Sequence, residues 1–258
     1  MNEKDILEYV RKDPYYIKSL PNITEEVALI AVEENGSLLK YIKNPSDKVI
    51  WKALKSSPWA VEYVKDPSEE MCLFCVKDSW NTLKLIKNPS YEVIKEAVKA
   101  KGWAIQYVNN PDFQIQKIAI EKDFDSIKFI ESPINEIQLL AVKKDWSAIK
   151  YIDMPCIEAE IEAVKKNEEA MRYMNNLSKE KIIEFVKVNV KIVKYLDKNA
   201  VELLEDIIKQ QIGKADVEDQ YILDFIQCEV FSFDKVRFIY KNGSMKAKRI
   251  LLDYKLSI

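Results

Sequence analysis

Residues 89–110 read PSYEVIKEAVKAKGWAIQYVNN, and residues 111–132 read PDFQIQKIAIEKDFDSIKFIES. Both segments begin with proline and place aliphatic residues at their tenth, seventeenth and twentieth positions. The same register extends in both directions without an insertion and divides residues 1–198 into nine units of 22 residues. Six units begin with proline, at Pro45, Pro67, Pro89, Pro111, Pro133 and Pro155. A fixed period of this length indicates a tandem-repeat protein.

Three positions of the repeat, numbered from 1 at the proline, are apolar in all nine units. In the fifth unit they are Val98 at position 10, Ile105 at position 17 and Val108 at position 20. Position 9 is small in most units, and Ala97 is its residue in the fifth. Small residues there let neighbouring helices approach closely. Position 19 is aromatic in seven units.

Polar residues at two positions predict where the helices begin. Position 22 is Asn, Asp or Ser in seven units, and such side chains cap a helix whose first residue is often proline. We therefore predict a first helix over positions 1–12. Position 13 is Asp, Asn or Ser in eight units and predicts a second helix over positions 14–21. Because both helices are too short to be stable alone, packing between units must stabilise them.

The predicted fold is all-α: an α-solenoid of about nine 22-residue helix-turn-helix repeats, followed by a helical C-terminal cap. The repeats occupy residues 1–198. Residues 199–258 keep helical periodicity but lose the register, with a break near Gly213. Terminal repeats of solenoids are commonly atypical because they cover an exposed hydrophobic end. A capping role is therefore predicted for residues 199–258, and a separate functional module is the alternative.

Residues 31–41, AVEENGSLLKY, resemble the AVxxNGxALxY signature of a bacterial and viral family of helical repeats whose function is unknown. Residues 97–107, 141–151 and 163–173 match more loosely, so the resemblance extends over about residues 23–198. It implies short α-solenoid repeats. Because the motif consists mostly of core and cap residues, the resemblance supplies no catalytic residue.

Composition argues against a conventional enzyme. The chain contains no histidine, the usual general base near neutral pH and the commonest metal ligand. Nucleophilic sites that need histidine and mixed Cys/His zinc sites are therefore excluded. The 40 basic and 42 acidic residues balance, whereas a nucleic-acid-binding protein usually carries net positive charge. We predict a non-enzymatic protein that uses no cofactor and no metal.

The four cysteines, Cys72, Cys75, Cys156 and Cys228, are sparse and irregularly spaced, which is typical of a reducing compartment. Cys72 and Cys75 form a CxxC motif, but Cys75 falls in the small-residue column and no second pair exists for zinc. We predict that both pack in the core. No apolar run reaches membrane-spanning length, and the first five residues do not begin a signal peptide. We therefore predict a cytoplasmic protein without a membrane partner.

Paired carboxylates are the other candidates for chemistry. Asp123 with Asp125, and Glu168 with Glu169, lie at turn positions of the repeat. A glycosidase-type pair is conceivable, but solvated acids at turns are far commoner than catalytic ones. An enzyme within the last 60 residues is the weakest hypothesis, because no recognised constellation of residues occurs there.

A column of basic residues provides the candidate binding surface. Position 18 is basic in seven units and lies about 100° around the second helix from buried position 17, so we predict that it is exposed. Aromatic residues at position 15 and early lysines at position 21 could join this surface. Glu131, Asp153 and Asp197 occupy position 21 in later units and predict ion pairs to position 18. The predicted binding residues are Lys18, Lys40, Lys43, Trp59, Lys65, Lys84, Lys87, Trp103, Lys128, Lys150, Arg172 and Lys194.

The leading interpretation is a protein-binding scaffold, adaptor or inhibitor that uses a curved repeat surface to hold another protein with an acidic surface. The alternative is a nucleic-acid-binding helical-repeat protein that uses the basic column of the second helices. A lysine column that only keeps an exposed helix face soluble explains the same residues and stays open. The sequence predicts no particular partner and no oligomeric state.

Overall fold

The computed structural model describes residues 3–197, 200–201 and 203–257. Over these residues the chain is helical and contains no strand, and nine units repeat every 22 residues, which confirms the predicted all-α repeat fold. Each unit consists of a ten-residue α-helix over positions 3–12 and a six-residue 3-10 helix over positions 14–19.

The α-helices of the nine units span Glu3–Lys12, Glu25–Glu34, Asp47–Ser56, Glu69–Asp78, Tyr91–Ala100, Phe113–Lys122, Asn135–Lys144, Ile157–Lys166 and Lys179–Val188. The 3-10 helices span Pro14–Ser19, Gly36–Tyr41, Pro58–Tyr63, Trp80–Leu85, Gly102–Tyr107, Phe124–Phe129, Trp146–Tyr151, Glu168–Tyr173 and Val190–Tyr195. Beyond the repeats, the described residues form further α-helices at Glu205–Ile212, Asp219–Gln227, Lys235–Asn242 and Met245–Leu256.

The first helix of each unit begins at position 3, so the prediction that it begins at the proline, with position 22 as its cap, was wrong. Position 2 is the N-cap in the second to ninth units. In the third unit the Ser46 hydroxyl accepts a hydrogen bond from the backbone N–H of Val49, and Asp112 accepts one from Ile115 at 2.8 Å. The Ser46 hydroxyl also donates to the Glu25 carboxylate of the preceding unit. The serine therefore begins one helix and links it to another.

Position 22 turns the chain instead of capping the helix. Asn44, Asn110, Ser132 and Asn176 have φ values of 47–52°, in the left-handed region. Asparagine enters this region at lower cost than other residues with a side chain, because its short amide can hydrogen-bond locally. The proline that follows therefore lies outside the helix, one residue before the N-cap.

The second element is a 3-10 helix that ends at position 19 rather than the predicted 21. Position 13 is the N-cap, as predicted, and in the second unit the Asn35 side chain accepts a hydrogen bond from the backbone N–H of Ser37 at 3.0 Å. The third to sixth units make no such side-chain bond. The backbone N–H of Ile42 closes the last turn on the carbonyl of Leu39 at 3.0 Å. Ile42 itself is extended, which ends the helix and directs position 20 towards the core.

The three apolar columns form the core. Val98 and Ile105 are buried and Val108 is partly buried, as predicted for positions 10, 17 and 20. Position 9 is also buried wherever it is small. Position 16 is a further buried column, which the sequence analysis did not identify; it holds Leu38 and Ala104, among others. Burial of these columns stabilises helices that would not form alone.

Two glycines allow neighbouring units to approach closely. A Cβ atom at Gly36 would overlap the backbone carbonyl oxygen of Ala53 in the next unit, and one at Gly102 would overlap that of Ala119. Glycine at position 14 therefore lets the start of a 3-10 helix lie directly against the following α-helix.

The chain forms two compact bodies, an N-terminal body (Met1–Glu131) and a C-terminal body (Ser132–Ile258). Within the C-terminal body, helix Glu205–Ile212 packs against Lys179–Val188, the α-helix of the ninth unit. The predicted boundary between residues 198 and 199 lies outside the described residues, so that division stays a prediction. No helix in the described part of the chain combines the length and the apolar character needed to cross a bilayer.

Candidate functional site

The position-18 cations of the first four units are exposed. Lys18, Lys40 and Lys84 all lie at the surface of the N-terminal body, as predicted from their place next to buried position 17. Within the described residues, no carboxylate lies within 4.0 Å of any of these three ammonium groups. Their charge is therefore not compensated by an ion pair.

Aromatic rings hold these lysines in place. The Nζ atom of Lys18 lies 4.6 Å from the ring centre of Tyr15 and 5.3 Å from that of Tyr41 in the next unit. Lys40 repeats the arrangement, with its Nζ atom 5.1 Å from Tyr41 and 6.0 Å from Tyr63. Each lysine thus lies near the position-19 ring of the following unit.

The third unit departs from this pattern because its position 18 is Glu62. Its Trp59 ring lies instead beside Lys84 of the fourth unit, with 4.8 Å between the Nζ atom and the ring centre. Cation–π contacts at exposed sites contribute about 0.5–1 kcal/mol each. The lysine–aromatic row is defined here as Lys18, Lys40 and Lys84 with Tyr15, Tyr41, Trp59 and Tyr63.

Farther along the N-terminal body, the next position-18 cation is neutralised. Lys128 Nζ lies 3.8 Å from the ring centre of Trp103 and 2.8 Å from a carboxylate oxygen of Asp125. The indole N–H of Trp103 donates to the same carboxylate at 2.8 Å. Burial acts to raise the pKa of Asp125, but the hydrogen bonds from Lys128 and Trp103 outweigh it and lower the pKa. Trp103, Lys128 and Asp125 therefore contact one another, and the charge of Lys128 is compensated, unlike the charges of the row lysines.

The predicted lysines at position 21 are exposed. Lys43, Lys65 and Lys87 have no carboxylate within ion-pair distance among the residues that the structure describes. Lys65 and Lys87 line a depression of about 340 Å³ together with Tyr63 of the row. They therefore add positive charge beside the row.

In the C-terminal body, two position-18 cations lie against acids. Arg172 lies 3.8 Å from the carboxylate of Glu169, and Lys194 lies 3.3 Å from that of Glu168. Lys150 lies 4.6 Å from the ring centre of Tyr151. Two of the three position-18 cations of this body thus lie against acids, and the third lies beside a ring.

The acids that compensate these cations are not the predicted ones. The predicted partners at position 21 included Asp153 and Asp197, and neither forms an ion pair with a position-18 cation in the described residues. The observed partners, Glu168 and Glu169, occupy positions 14 and 15. In a 3-10 helix, side chains three residues apart are eclipsed, so position 15 lies directly beside position 18.

The carboxylate pairs considered for catalysis have structural roles. Asp123 accepts hydrogen bonds from the Gly102 backbone N–H at 2.7 Å and from Lys101 Nζ at 2.8 Å, which links two units. Glu168 lies within 3.3 Å of both Lys191 and Lys194. Burial acts to raise the pKa of Glu168, but its own backbone hydrogen bond and the two lysines lower it.

The CxxC motif lies in the core, as predicted. Cys72 and Cys75 are both buried in helix Glu69–Asp78. Burial raises the pKa of Cys75 to about 12, so its thiol stays protonated near neutral pH and is a poor nucleophile. Among the described residues, no three His, Cys, Asp or Glu side chains are grouped so that they could hold a metal ion.

The lysine–aromatic row is therefore the strongest candidate site in the described residues. It combines exposed, uncompensated cations with rings from successive units. The resemblance of residues 23–198 to a family of helical repeats stays a prediction. Comparison of the chain with models of protein families, with curated proteins and with solved structures finds no match.

Proposed function

We propose that the chain is a protein-binding scaffold whose N-terminal body holds an extended acidic segment of a partner protein along the lysine–aromatic row. The observation that carries the proposal is the exposure of Lys18, Lys40 and Lys84 without an ion-pair partner in the described residues. Carboxylates of a partner would supply the missing counter-charges.

The rings favour such binding because they restrict the lysines before a partner arrives. A free lysine side chain has about 2 kcal/mol of rotamer entropy to lose when it becomes fixed. Contact of Lys18 with Tyr15 and Tyr41 limits that freedom in the unbound protein. Restricting a binding group beforehand lowers the entropic cost of association.

The repeat sets the spacing of the acids in the partner. Neighbouring helices pack about 8–10 Å apart. An extended polypeptide advances about 3.3 Å per residue. Lys18 and Lys40, from successive units, would therefore face carboxylates about three residues apart, and Lys84, two units later, would face one about six residues farther on.

Fluorescence anisotropy with a labelled peptide tests the proposal directly. The probe carries glutamate at every third position of an otherwise uncharged, extended sequence. Replacing Lys18, Lys40 and Lys84 together by glutamine should weaken its binding about thirtyfold, since an exposed ion pair contributes about 0.7 kcal/mol.

A matched control replaces three exposed lysines outside the row by glutamine, with the same change in net charge. The control lysines are Lys48, Lys55 and Lys122. The control variant should bind the peptide within about twofold of the unmodified chain, because its lysines do not contact the peptide. Equal losses in both variants would show that only net charge matters and would overturn the proposal.

A single-stranded nucleic acid is the second candidate, and one observation favours it. Tyr15 and Trp59 are 50% and 38% exposed, and such rings beside lysines are suited to base stacking. Charge balance argues against it, because residues 1–110 contain 16 basic and 16 acidic residues. An oligonucleotide of uridines at low salt is the test. Saturable binding, abolished when the row lysines become glutamates, would favour this candidate over the peptide.

A further inference from the structure

The starts of two α-helices in the C-terminal body depart from the repeat. In the second to sixth units and in the ninth, a threonine, serine or aspartate at position 2 accepts a hydrogen bond from the first turn of its helix. Ile134 and Cys156 occupy this position in the seventh and eighth units, and neither side chain caps its helix. Because a polar cap stabilises a helix, these two units lack a contribution to stability that the others have.

Three exposed apolar side chains lie at these helix starts. Ile134 is 54% exposed, Met154 is 85% exposed and Ile157 is 36% exposed. They occupy positions 2, 22 and 3, each of which is polar in most units. Single exposed apolar residues are common on protein surfaces. Several at one place, where the repeat elsewhere has polar residues, indicate an interaction surface.

The two helix starts are in contact with each other. The backbone N–H of Cys156 donates to the side-chain oxygen of Gln138 at 2.7 Å, and the Cys156 thiol lies 3.9 Å from the carbonyl oxygen of Asn135. Ile134 directly precedes Asn135, and Ile157 directly follows Cys156. The apolar residues therefore lie at neighbouring helix starts, and Ile134, Met154 and Ile157 are called the apolar edge.

Acidic residues accompany the apolar edge. Glu136 and Glu158 lie in the first turns of the two helices, and Asp153 directly precedes Met154. All three acids are exposed, and none forms an ion pair with a residue that the structure describes. Position 21, which is Asp153 here, is lysine in the second to fourth units. The apolar edge thus lies among uncompensated negative charges.

We infer that the apolar edge binds an amphipathic helix of a partner protein, with aliphatic residues on one face and lysine or arginine beside them. The aliphatic face would cover Ile134 and Met154, and the basic residues would supply counter-charges to the acids. The acids disfavour two other occupants. The same edge of a second copy would bring like charges together, and an anionic membrane surface would repel it.

Fluorescence anisotropy with the full chain tests this inference. The probe is a labelled helical peptide of about five turns, built from leucine and lysine so that the leucines share one face. Ile134→Ser and Met154→Asn together restore the residue types of other units. This double variant should bind the probe about tenfold more weakly, because two apolar side chains leave the contact. Its thermal unfolding temperature should be no lower, because Ile134→Ser restores a cap.

A second variant tests the charges. Glu136→Gln and Asp153→Asn together should also weaken binding about tenfold at low salt, since two exposed ion pairs are lost. The affinity of this variant should depend less on salt than that of the unmodified chain. An affinity unchanged by the loss of both acids would contradict the basic character of the partner.

Met245→Asn with Leu252→Ser is the matched control, because these residues are 82% and 49% exposed in another helix of the same body. The control should bind the probe within about twofold of the unmodified chain. Three results would overturn the inference: no saturable binding, an equal loss in the control, or equal binding of a peptide with the same composition and a scrambled order.

Sedimentation velocity of the chain alone tests the second copy as occupant. We expect no association that depends on the apolar edge. Self-association that Ile134→Ser and Met154→Asn abolish would assign the edge to a second copy and overturn the inference. The glutamate peptide should bind the double variant as it binds the unmodified chain, so the test of the lysine–aromatic row is independent of this one.

Discussion

The same repeat position carries cations in the first units and in the last two units, but the side chains around these cations differ. In the N-terminal body, Lys18 lies between the rings of Tyr15 and Tyr41. In the C-terminal body, Arg172 and Lys194 lie against Glu169 and Glu168. A ring orients a lysine and leaves its charge available, whereas a carboxylate orients and neutralises it. Residue changes at positions 14 and 15 are thus enough to change the surface without changing the fold.

The largest expected effect concerns position 14, which is Gly36 in the second unit and Glu168 in the eighth. Gly36→Ala should reduce the free energy of unfolding by about 2–3 kcal/mol, because the new Cβ overlaps the Ala53 carbonyl oxygen and the units must separate. Glu168→Ala should cost less than about 1 kcal/mol, since it removes only two partly exposed ion pairs. Urea denaturation measures both, and equal losses would contradict the close approach at Gly36.

A smaller effect is expected when an acid enters the row. Tyr15→Glu places a carboxylate three residues before Lys18, as Asp125 precedes Lys128. It should neutralise one of three binding cations and weaken binding of the acidic peptide about threefold. Tyr15→Phe keeps the ring and should bind within about twofold of the unmodified chain. Unchanged anisotropy with the glutamate variant would show that Lys18 does not contact the peptide.

Acid should affect the two kinds of contact differently. The pKa of Glu168 is lower in the folded chain than in the unfolded chain. The ion pairs of Glu168 therefore stabilise the fold above the unfolded-state pKa of about 4.3, and this stabilisation is lost as the pH falls through the folded-state pKa. Below pH 4.3, the stability of Glu168→Gln, measured by thermal unfolding, should therefore depend less on pH than that of the unmodified chain. The difference in the free energy of unfolding should be less than about 1 kcal/mol. The contacts between row lysines and rings contain no carboxylate. Parallel curves for the two proteins would contradict the role of Glu168.

The smallest effect concerns position 22. Ser132 has a φ of 51°, where Asn44 and Asn110 take a similar conformation. Ser132→Asn should stabilise the chain by about 0.5 kcal/mol, because asparagine enters the left-handed region at lower cost. Asp66→Asn, at the same repeat position without positive φ, should change the thermal unfolding temperature little. A destabilised Ser132→Asn variant would show that the serine hydroxyl has a role of its own.

The sequence was sufficient for the fold because the buried columns recur at one fixed interval. Val98 and Ile105 lie in the core as their positions predicted, and position 18 is exposed. The predicted starts of the first helices were wrong because positions 22 and 2 both carry residues suited to capping. Backbone dihedral angles distinguish the two: Asn44 adopts a positive φ, and Ser46 caps the helix.

The candidate site was predicted less completely. The basic column and the aromatic column were both identified, but contact between Lys18 and Tyr41 depends on how successive units stack. The sequence analysis predicted that acids at position 21 would pair with the position-18 cations of later units. Glu169 at position 15 lies beside Arg172 because residues three apart are eclipsed in a 3-10 helix, whereas Glu168 at position 14 pairs with Lys194 of the next unit.

One affinity measurement tests most directly the difference between uncompensated and compensated position-18 cations. Binding of the spaced glutamate peptide is compared among the unmodified chain, the variant with Lys18, Lys40 and Lys84 as glutamine, and a variant with Lys128, Arg172 and Lys194, the cations that lie against acids, as glutamine. We expect about a thirtyfold loss in the first variant and a change within about twofold in the second. Equal losses, or a larger loss in the second variant, would contradict the claim that uncompensated lysines beside rings form the binding surface.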